Sequence, residues 1–152
     1  HYRDVLYIST LVPDKNDTSL MMRIQKHKER RPSDWRTIEA GSNLIEILNS
    51  INSQEIILID SLGGFVASTL DDSEICWNEL QNQLFSFFKY SPVSTILVSE
   101  EVGWGVVPST PIGNIYRERL TSISTLLSNI ATHNWLVIQG RALNLSLQGI
   151  KI

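Results

Sequence analysis

The chain has 152 residues, of which 42% are apolar and 19% are charged, and its formal net charge is −3. This composition is typical of one soluble globular domain with a hydrophobic core, and it excludes a disordered or fibrous protein. No apolar run approaches the ~18–20 residues of a membrane-spanning helix. Cys76, the single cysteine, excludes an internal disulfide and a multi-cysteine zinc site. We therefore expect a cytoplasmic enzyme or binding domain.

Short apolar runs that are rich in Val and Ile predict strands buried on both faces, and segments with helical spacing lie between them. The predicted elements in chain order are a strand at 4–9, a helix from Asp17 or Thr18 through His27, a helix marked by Leu44, Ile45 and Leu48, a strand at 55–60, a helix containing Leu80, Leu84, Phe87 and Phe88 and closed by Ser91-Pro92, a strand at 93–99, a helix over 112–130 and a strand at 134–139.

Strands that alternate with helices predict an α/β fold with a mostly parallel sheet, right-handed crossovers and helices on both faces. We expect residues 148–152 to add a short edge strand. Such sheets bind ligands at the carboxyl ends of their strands. We therefore expect Asp60 to face the same cleft as Ser9 and Thr10. Polar and acidic residues at the predicted strand ends are Ser9-Thr10, Asp60-Ser61, Ser99-Glu100-Glu101 and Gln139-Gly140.

Two features at these strand ends each allow two interpretations. Asp60 ends an apolar strand, where a carboxylate of nucleotide-binding α/β proteins holds Mg²⁺ directly or through water, but a helix N-cap or loop role fits the same position. The stretch SEEVGWGVVPSTP (99–111) places two glycines around Trp104. It is typical either of a structured loop anchored by the tryptophan or of a pocket wall to which Glu100 or Glu101 adds polar contacts.

Positive charge is concentrated in residues 23–36, which contain six of the thirteen Lys and Arg residues and carry a charge of +4 in a chain that is otherwise −7. This local reversal of sign predicts an anionic small ligand rather than a nucleic acid, which needs a broad basic face. His27 lies inside the segment. A neutral imidazole can act as nucleophile in nucleotidyl transfer, and nearby cations disfavour its protonation and neutralise a polyphosphate. A solvated basic helix end is the alternative.

The segment RIQKHKERRPSDWRTIE (23–39) resembles the R-I-x-x-H-(K/R)-x-x-R-P-x-x-W-x-T-x-E segment of the bifunctional adenosylcobinamide kinase/adenosylcobinamide-phosphate guanylyltransferases of cobalamin synthesis. The resemblance covers essentially the whole chain. It implies a P-loop NTPase-like (RecA-type) sheet in a single nucleotide-binding α/β domain over residues 1–152. Further segments similar to those of the family, in its order and spacing, are VLYISTL (5–11), ILIDSLGGFV (57–66), VSEEVGWGVVP (98–108) and NWLVIQGRALNL (134–145).

The resemblance implies that GTP guanylylates His27 and that the GMP moiety then passes to adenosylcobinamide phosphate. It also implies phosphorylation of adenosylcobinamide by a nucleoside triphosphate such as ATP, with Mg²⁺ at Asp60, in a homotrimer. Neither a nucleic-acid partner nor a membrane span is expected. The nucleotide contacts that the resemblance implies are Ser9, Thr10, Leu11, Lys28, Glu29, Arg30, Arg31, Glu39 and Asp60.

Two departures from the family pattern are present. Glu100 stands where most members have Asn. The family also begins with a strand and a P-loop, G-x-x-x-x-G-K-(S/T), which this sequence lacks, so we expect the chain to be N-terminally incomplete by roughly 25–35 residues. The alternatives to the enzyme are a non-catalytic nucleotide- or corrinoid-binding homologue without a P-loop, and an interaction domain whose basic segment docks an acidic partner. A P-loop encoded directly upstream of His1 would favour the enzyme over the first alternative.

Overall fold

A computed structural model describes residues 4–14, 16–51 and 54–150. The strands are β1 (Val5–Ser9), β2 (Arg36–Glu39), β3 (Ile56–Asp60), β4 (Thr95–Leu97), β5 (Trp135–Ile138) and β6 (Arg141–Asn144). The α-helices are α1 (Thr18–Glu29), α2 (Leu44–Ser50), α3 (Leu62–Ala67), α4 (Glu74–Tyr90), α5 (Pro111–Ser128) and α6 (Leu145–Gln148), and a 3-10 turn spans Gly41–Asn43. No helix in the described ranges is long and apolar enough to cross a membrane.

The central sheet contains four parallel strands in the order β2-β1-β3-β4. The mostly parallel α/β fold is therefore confirmed, and the strands predicted at 4–9, 55–60 and 93–99 correspond to β1, β3 and the shorter β4. Sequence reasoning missed β2. Its residues, RTIE, are polar except for the partly buried Ile38, so no apolar run marks this edge strand.

The strand order determines where the helices lie. The chain steps from β1 to β2 in one direction across the sheet, and from β2 to β3 and on to β4 in the other direction. Because crossovers between parallel strands are right-handed, α1 lies on one face and α2, α3 and α4 lie on the other. Contacts of α4 with α2 and α5, and of α3 with α5, place those helices in one layer. The reversal of direction at β1 forms a crevice at the carboxyl ends of β1 and β3.

The hydrophobic core lies between the sheet and the layer of α2 to α5. Alternate residues of a strand point to the same face, so Leu6 and Ile8 of β1 face the core together with Ile57 and Ile59 of β3, and all four are 0% exposed. Tyr7, Ser9 and Asp60 consequently belong to the opposite face. The buried helix residues that pack against these strands include Leu44, Leu48, Phe65, Val66, Trp77, Leu84, Leu120 and Ile123.

Capping side chains explain where two of the helices begin. The carboxylate of Asp17 accepts from the Leu20 N–H at 2.8 Å at the start of α1, as predicted. The Thr110 hydroxyl accepts from the Gly113 N–H at 3.2 Å at the start of α5.

The four helices predicted from the sequence correspond to α1, α2, α4 and α5. The short helix α3 was not predicted.

The strand predicted at 134–139 forms as β5, but its expected place in the parallel sheet was wrong. It pairs antiparallel with β6 in a separate two-stranded sheet. Gln139 and Gly140 between the two strands have φ values of 49° and 71°. Two successive positive φ values, as in a type I′ turn, reverse the chain into a hairpin.

The edge strand expected at 148–152 is also wrong where the structure describes it. Gln148 ends helix α6, and residues 149–150 are not in a strand. Residues 151–152 lie outside the described part of the chain. The Asn144 side chain caps α6 by accepting from the Ser146 N–H at 3.0 Å, so the polar residue that ends β6 starts a helical turn instead.

Arg119 of α5 is a buried cation that contacts α4 and the segment between α3 and α4. It is 7% exposed, its Nη1 donates to the Thr69 carbonyl, and its Nη2 donates to the Asp72 carbonyl at 2.8 Å. Its guanidinium carbon lies 5.1 Å from the ring centroid of Trp77 in α4. Arg119 therefore fixes the segment between α3 and α4 against α5.

We expect Arg119→Met to lower the free energy of unfolding by about 2 kcal/mol, because one buried and one partly buried carbonyl lose their charged donor. Arg36→Met is the matched control. Arg36 forms an exposed ion pair with Glu55, and loss of such a pair changes stability by about 1 kcal/mol or less. Urea unfolding of both variants measures the difference, and equal small losses would contradict a structural role for Arg119.

Candidate active site

The carboxyl ends of β1 and β3 lie side by side at the crevice. Asp60 is the last residue of β3 and is in register with Ser9 of β1. Side chains at paired positions of parallel strands point to the same face, so the Asp60 carboxylate and the Ser9 hydroxyl face the crevice together. The predicted position of Asp60 beside Ser9 is confirmed.

Unlike Ser9 and Asp60, Thr10 does not turn its side chain toward the crevice. Its side chain is 0% exposed, and its hydroxyl accepts from the Ser61 N–H at 3.1 Å and donates to the Ser61 carbonyl. The Thr10 N–H donates to the Asp60 carbonyl at 3.3 Å. Thr10 therefore ties the two strand ends together from inside the protein, and the expectation that its side chain faces the cleft was wrong.

Tyr7 holds the Asp60 carboxylate. Its hydroxyl donates to Oδ2 of Asp60. Tyr7 precedes Ser9 by two residues on the same face of β1, which explains why its side chain reaches the strand end. Burial and the neighbouring Asp60 raise the pKa of Tyr7 to about 12. The hydroxyl therefore stays protonated and remains a donor to Asp60 at physiological pH.

The basic segment reaches the crevice through Arg31. Its guanidinium carbon lies 3.9 Å from the centroid of the Tyr7 ring. Trp35 stacks on the same ring, with centroids 6.3 Å apart and an interplanar angle of 28°. A guanidinium over an aromatic face is held by the ring quadrupole. Arg31 and Trp35 therefore both pack on the Tyr7 side chain of β1.

His27 lies in the last turn of α1, beside Lys28, and it is exposed. Lys28 forms an ion pair with Glu39, the last residue of β2, and both side chains are a little under half exposed. Glu39 is in register with Ser9. The end of α1, including His27, therefore lies near the same end of the sheet as Asp60.

Three other predicted contacts lie on the surface around this site. Leu11 is 39% exposed directly after β1. Glu29 accepts from the Gln25 amide at 3.0 Å along α1, and Arg30 is the exposed C-cap of that helix. The structure therefore brings five of the predicted residues to one end of the sheet and leaves these three beside them. The five residues are Ser9, Lys28, Arg31, Glu39 and Asp60.

Glu100, after β4, contacts the same strand ends from the other side. Its carboxylate accepts from the Ser61 hydroxyl and from the Gly63 N–H at 3.0 Å. Burial, and then the Glu100 charge, raise the pKa of Tyr116. Glu100 therefore fixes the turn that follows Asp60.

The loop at 99–111 is not anchored by its tryptophan. Trp104 is 70% exposed, so that interpretation was wrong. Glu101 accepts from the Gly103 N–H at 2.8 Å and so stabilises its own loop. Of the two glutamates considered for a pocket wall, only Glu100 contacts the residues after Asp60.

Gly63 and Gly64 let α3 approach the strand ends without side chains between them. A Cβ on Gly63 would lie 2.3 Å from the Glu100 Oε2, and one on Gly64 would lie 2.4 Å from the Thr10 Oγ1 and 2.9 Å from the Leu11 nitrogen. Two consecutive glycines that begin three residues after a strand-end acid are a sequence signal for such close contact, which the sequence reasoning did not use.

Asp60 fits a cation that arrives with a nucleotide. Among the described residues, no group of three or more His, Cys, Asp or Glu side chains could hold a metal by itself. Mg²⁺ is commonly bound by one or two carboxylates together with substrate phosphates and water. One carboxylate with Oδ2 held by Tyr7 matches that pattern.

A cavity of about 460 Å³ lies elsewhere, between α4 and α5. None of the predicted site residues lines it, and its walls carry neutral side chains, so it does not match a polyphosphate. Its lining residues are Asn78, Gln81, Asn82, Ser122, Thr125, Leu126 and Asn129.

Comparison with known proteins gives consistent matches. The family model described as cobinamide kinase / cobinamide phosphate guanyltransferase matches residues 1–145. The chain is 28% identical over 151 residues to the bifunctional adenosylcobalamin biosynthesis protein CobU of Escherichia coli, covering 90% of the chain and 82% of that protein. Identity to the CobU protein of Salmonella typhimurium is 28% over 152 residues, with the same coverage. Identity to the CobP protein of Pseudomonas aeruginosa is 33% over 115 residues, covering 74% of the chain and 65% of that protein.

Proposed function

Because the chain belongs to the cobinamide kinase / cobinamide phosphate guanyltransferase family, we propose that it is a bifunctional enzyme of adenosylcobalamin biosynthesis. It transfers GMP from GTP to adenosylcobinamide phosphate through a guanylylated His27, and it phosphorylates adenosylcobinamide with a nucleoside triphosphate. One observation carries this proposal: Tyr7 contacts both Arg31 of the basic segment and Asp60 at the strand end. These contacts support the assignment of Arg31 to a phosphate and of Asp60 to a nucleotide-bound metal at one crevice.

In the first half-reaction, an imidazole nitrogen of His27 attacks the α-phosphorus of GTP. A nitrogen–phosphorus bond forms, the bond from the α-phosphorus to the bridging oxygen breaks, and pyrophosphate leaves with the electron pair. Exposure of His27 makes its imidazole accessible to the nucleotide. Lys28 and Arg31 offset the negative charge that develops on the phosphoryl oxygens.

In the second half-reaction, a phosphate oxygen of adenosylcobinamide phosphate attacks the same phosphorus. The nitrogen–phosphorus bond breaks, and His27 leaves as free imidazole. The product is adenosylcobinamide-GDP, and the enzyme returns to its starting state. The same cations serve both half-reactions, because charge develops on the same phosphorus in each.

In the kinase reaction, a hydroxyl oxygen of adenosylcobinamide attacks the γ-phosphorus of ATP or GTP. The bond from the γ-phosphorus to the bridging oxygen breaks, the nucleoside diphosphate leaves with the electron pair, and the hydroxyl proton passes to solvent. Positioning and charge neutralisation suffice for this chemistry, so no protein nucleophile is needed. Mg²⁺ bound with the nucleotide and held at Asp60 would supply further neutralisation of the phosphates.

A homotrimer in the cytoplasm is part of the proposal, as the resemblance to the family implies. Sedimentation equilibrium of the full-length protein tests the assembly. A monomer that retains guanylyl transfer would contradict the trimer and leave the chemistry unaffected.

The test of the proposed function is single-turnover guanylylation of the full-length protein with GTP labelled at the α-phosphate. We expect Lys28→Ala and Arg31→Ala each to reduce the rate by about 10²–10³, as removal of a group that stabilises transition-state charge does. Arg36→Ala is the matched control, because Arg36 is paired with Glu55 away from the crevice and its loss should leave the rate unchanged. Equal rates in all four proteins would contradict the proposed role of the basic segment.

A further inference from the structure

Tyr7 is the side chain that Asp60 and Arg31 share. It is 6% exposed, its hydroxyl donates to Oδ2 of Asp60, and the guanidinium carbon of Arg31 lies 3.9 Å from its ring centroid. In the part of the chain that the structure describes, no ion pair joins Arg31 to Asp60 directly. Tyr7 therefore lies between two opposite charges that would otherwise attract each other.

We propose that Tyr7 is a positioning residue of the active site: its ring keeps Arg31 from forming an ion pair with Asp60, and its hydroxyl orients the Asp60 carboxylate. The inference rests on the function proposed above, in which Arg31 binds phosphate and Asp60 faces the nucleotide-bound cation. Because neither charge neutralises the other, both remain available to a nucleoside triphosphate.

The unpaired Nε of Arg31 supports a positioning role for Tyr7. Its Nε is buried and has no hydrogen-bond partner among the described residues. Buried donors in folded proteins nearly always have an acceptor, and a bound phosphate would supply the one that this N–H lacks. The Tyr7 ring contacts the guanidinium, whose carbon lies 3.9 Å from the ring centroid, while Nε keeps its N–H for another acceptor. A phosphate oxygen is the acceptor that matches this geometry.

The hydrogen bonding of the Asp60 carboxylate also supports a positioning role for Tyr7. Tyr7 binds Oδ2, and within the described ranges Oδ1 accepts no hydrogen bond. Trp35 stacks on the Tyr7 ring and helps to hold this side chain in its position beside Asp60. One oriented oxygen and one free oxygen suit a carboxylate that completes the shell of a cation carried by the nucleotide.

The first test needs no nucleotide. The Arg31 Nε–H resonance of the full-length protein can be assigned by its loss in Arg31→Lys. We expect the Tyr7 ring to shift it upfield in the wild type and in Tyr7→Phe, which keeps the ring. In Tyr7→Leu we expect the shift to disappear, and the resonance should then respond to Asp60→Asn because the guanidinium has moved to the carboxylate.

The second test is calorimetric binding of GTP with Mg²⁺ and with EDTA. Tyr7→Phe should bind GTP in EDTA like the wild type, but the gain in affinity from Mg²⁺ should fall about tenfold because the Asp60 carboxylate loses its orienting bond. Tyr7→Leu should weaken binding in EDTA about tenfold, as should Arg31→Ala alone. The double variant should be no weaker than either single variant, since both remove the same phosphate contact.

The outcomes are separable. The same Arg31 resonance in the wild type and in Tyr7→Leu, or losses in Tyr7→Leu and Arg31→Ala that multiply, would show that Tyr7 only packs. Should Tyr7→Leu fail to fold, Tyr7→Phe still decides, because an unchanged gain from Mg²⁺ overturns the assignment. Absence of label on His27 in a wild type with the expected resonance pattern would contradict the proposed function and not the role of Tyr7.

Discussion

Replacement of His27 by alanine is expected to abolish guanylyl transfer from GTP to adenosylcobinamide phosphate. In the proposed mechanism the reaction passes through a nitrogen–phosphorus bond to the protein, and without the imidazole that intermediate cannot form. In the full-length wild type, GTP labelled at the α-phosphate should leave label on His27 that is labile in acid and stable in base, as a phosphoramidate requires. Peptide mapping of the labelled protein locates the site.

The kinase reaction should survive His27→Ala at least in part. In the proposed kinase reaction the hydroxyl of adenosylcobinamide attacks the γ-phosphorus directly, so the loss of a protein nucleophile does not remove a step. Measuring both activities on one preparation therefore controls for folding: a misfolded variant loses both, whereas loss of the nucleophile removes one.

His133→Ala is the matched control for His27→Ala. His133 is also exposed, and its Nδ1 lies 3.3 Å from the Thr132 hydroxyl in the segment before β5. Its removal should leave guanylyl transfer unchanged. Label on His133, or retention of guanylyl transfer by His27→Ala, would mean that the basic segment is only a solvated helix end.

The parts of the fold that the sequence predicted are those in which local pattern and burial agree. The core strands β1 and β3 are runs of Val, Leu and Ile, and α5 shows helical spacing over its whole length with Thr110 as its cap. The edge strand β2 carries one partly buried residue, so its composition does not mark it as a strand. It is a strand because its backbone pairs with β1. The hairpin of β5 and β6 depends on a positive φ at Gln139, a conformation that few non-glycine residues adopt.

Sequence reasoning found the charged members of the site and missed the residues that hold them. Asp60 and the basic segment are visible as a strand-end acid and a cluster of cations. The link between them is Tyr7, which bonds to a residue 53 positions away, and only the register of β1 with β3 brings the two together. Thr10 shows the converse, because its hydroxyl was expected at the nucleotide and instead bonds Ser61, at the start of the helix that sequence reasoning missed.

Gly64→Ala should have the largest effect on stability of the substitutions considered. The new Cβ would lie 2.4 Å from the Thr10 Oγ1, 2.9 Å from the Leu11 nitrogen and 3.0 Å from the Thr10 carbonyl carbon. Two of these three atoms belong to the backbone, so no change of rotamer relieves the contact, and α3 must move away from the end of β1. We expect the free energy of unfolding to fall by about 3 kcal/mol, at the upper end for overpacking a tight contact.

The sign of this change is informative because Gly64 lies within helix α3. Without a clash, alanine in place of glycine stabilises a helix by about 0.5–1 kcal/mol. A net loss in urea unfolding therefore measures the contact with Thr10 and Leu11 against that gain. Gly105→Ala is the matched control. Among the described residues its Cβ would meet only the Val102 carbonyl oxygen, at 3.9 Å, so stability should change by about 0.5 kcal/mol or less.

Gly64→Ala should also weaken GTP binding at temperatures where the variant is still folded. Moving α3 stretches the two bonds between Thr10 and Ser61, and these bonds set the distance between the strand ends that carry Ser9 and Asp60. We expect about a tenfold loss of affinity by calorimetry, equivalent to about 1.4 kcal/mol. A variant more stable than the wild type with unchanged affinity would show that α3 does not pack against the end of β1 as closely as these distances require.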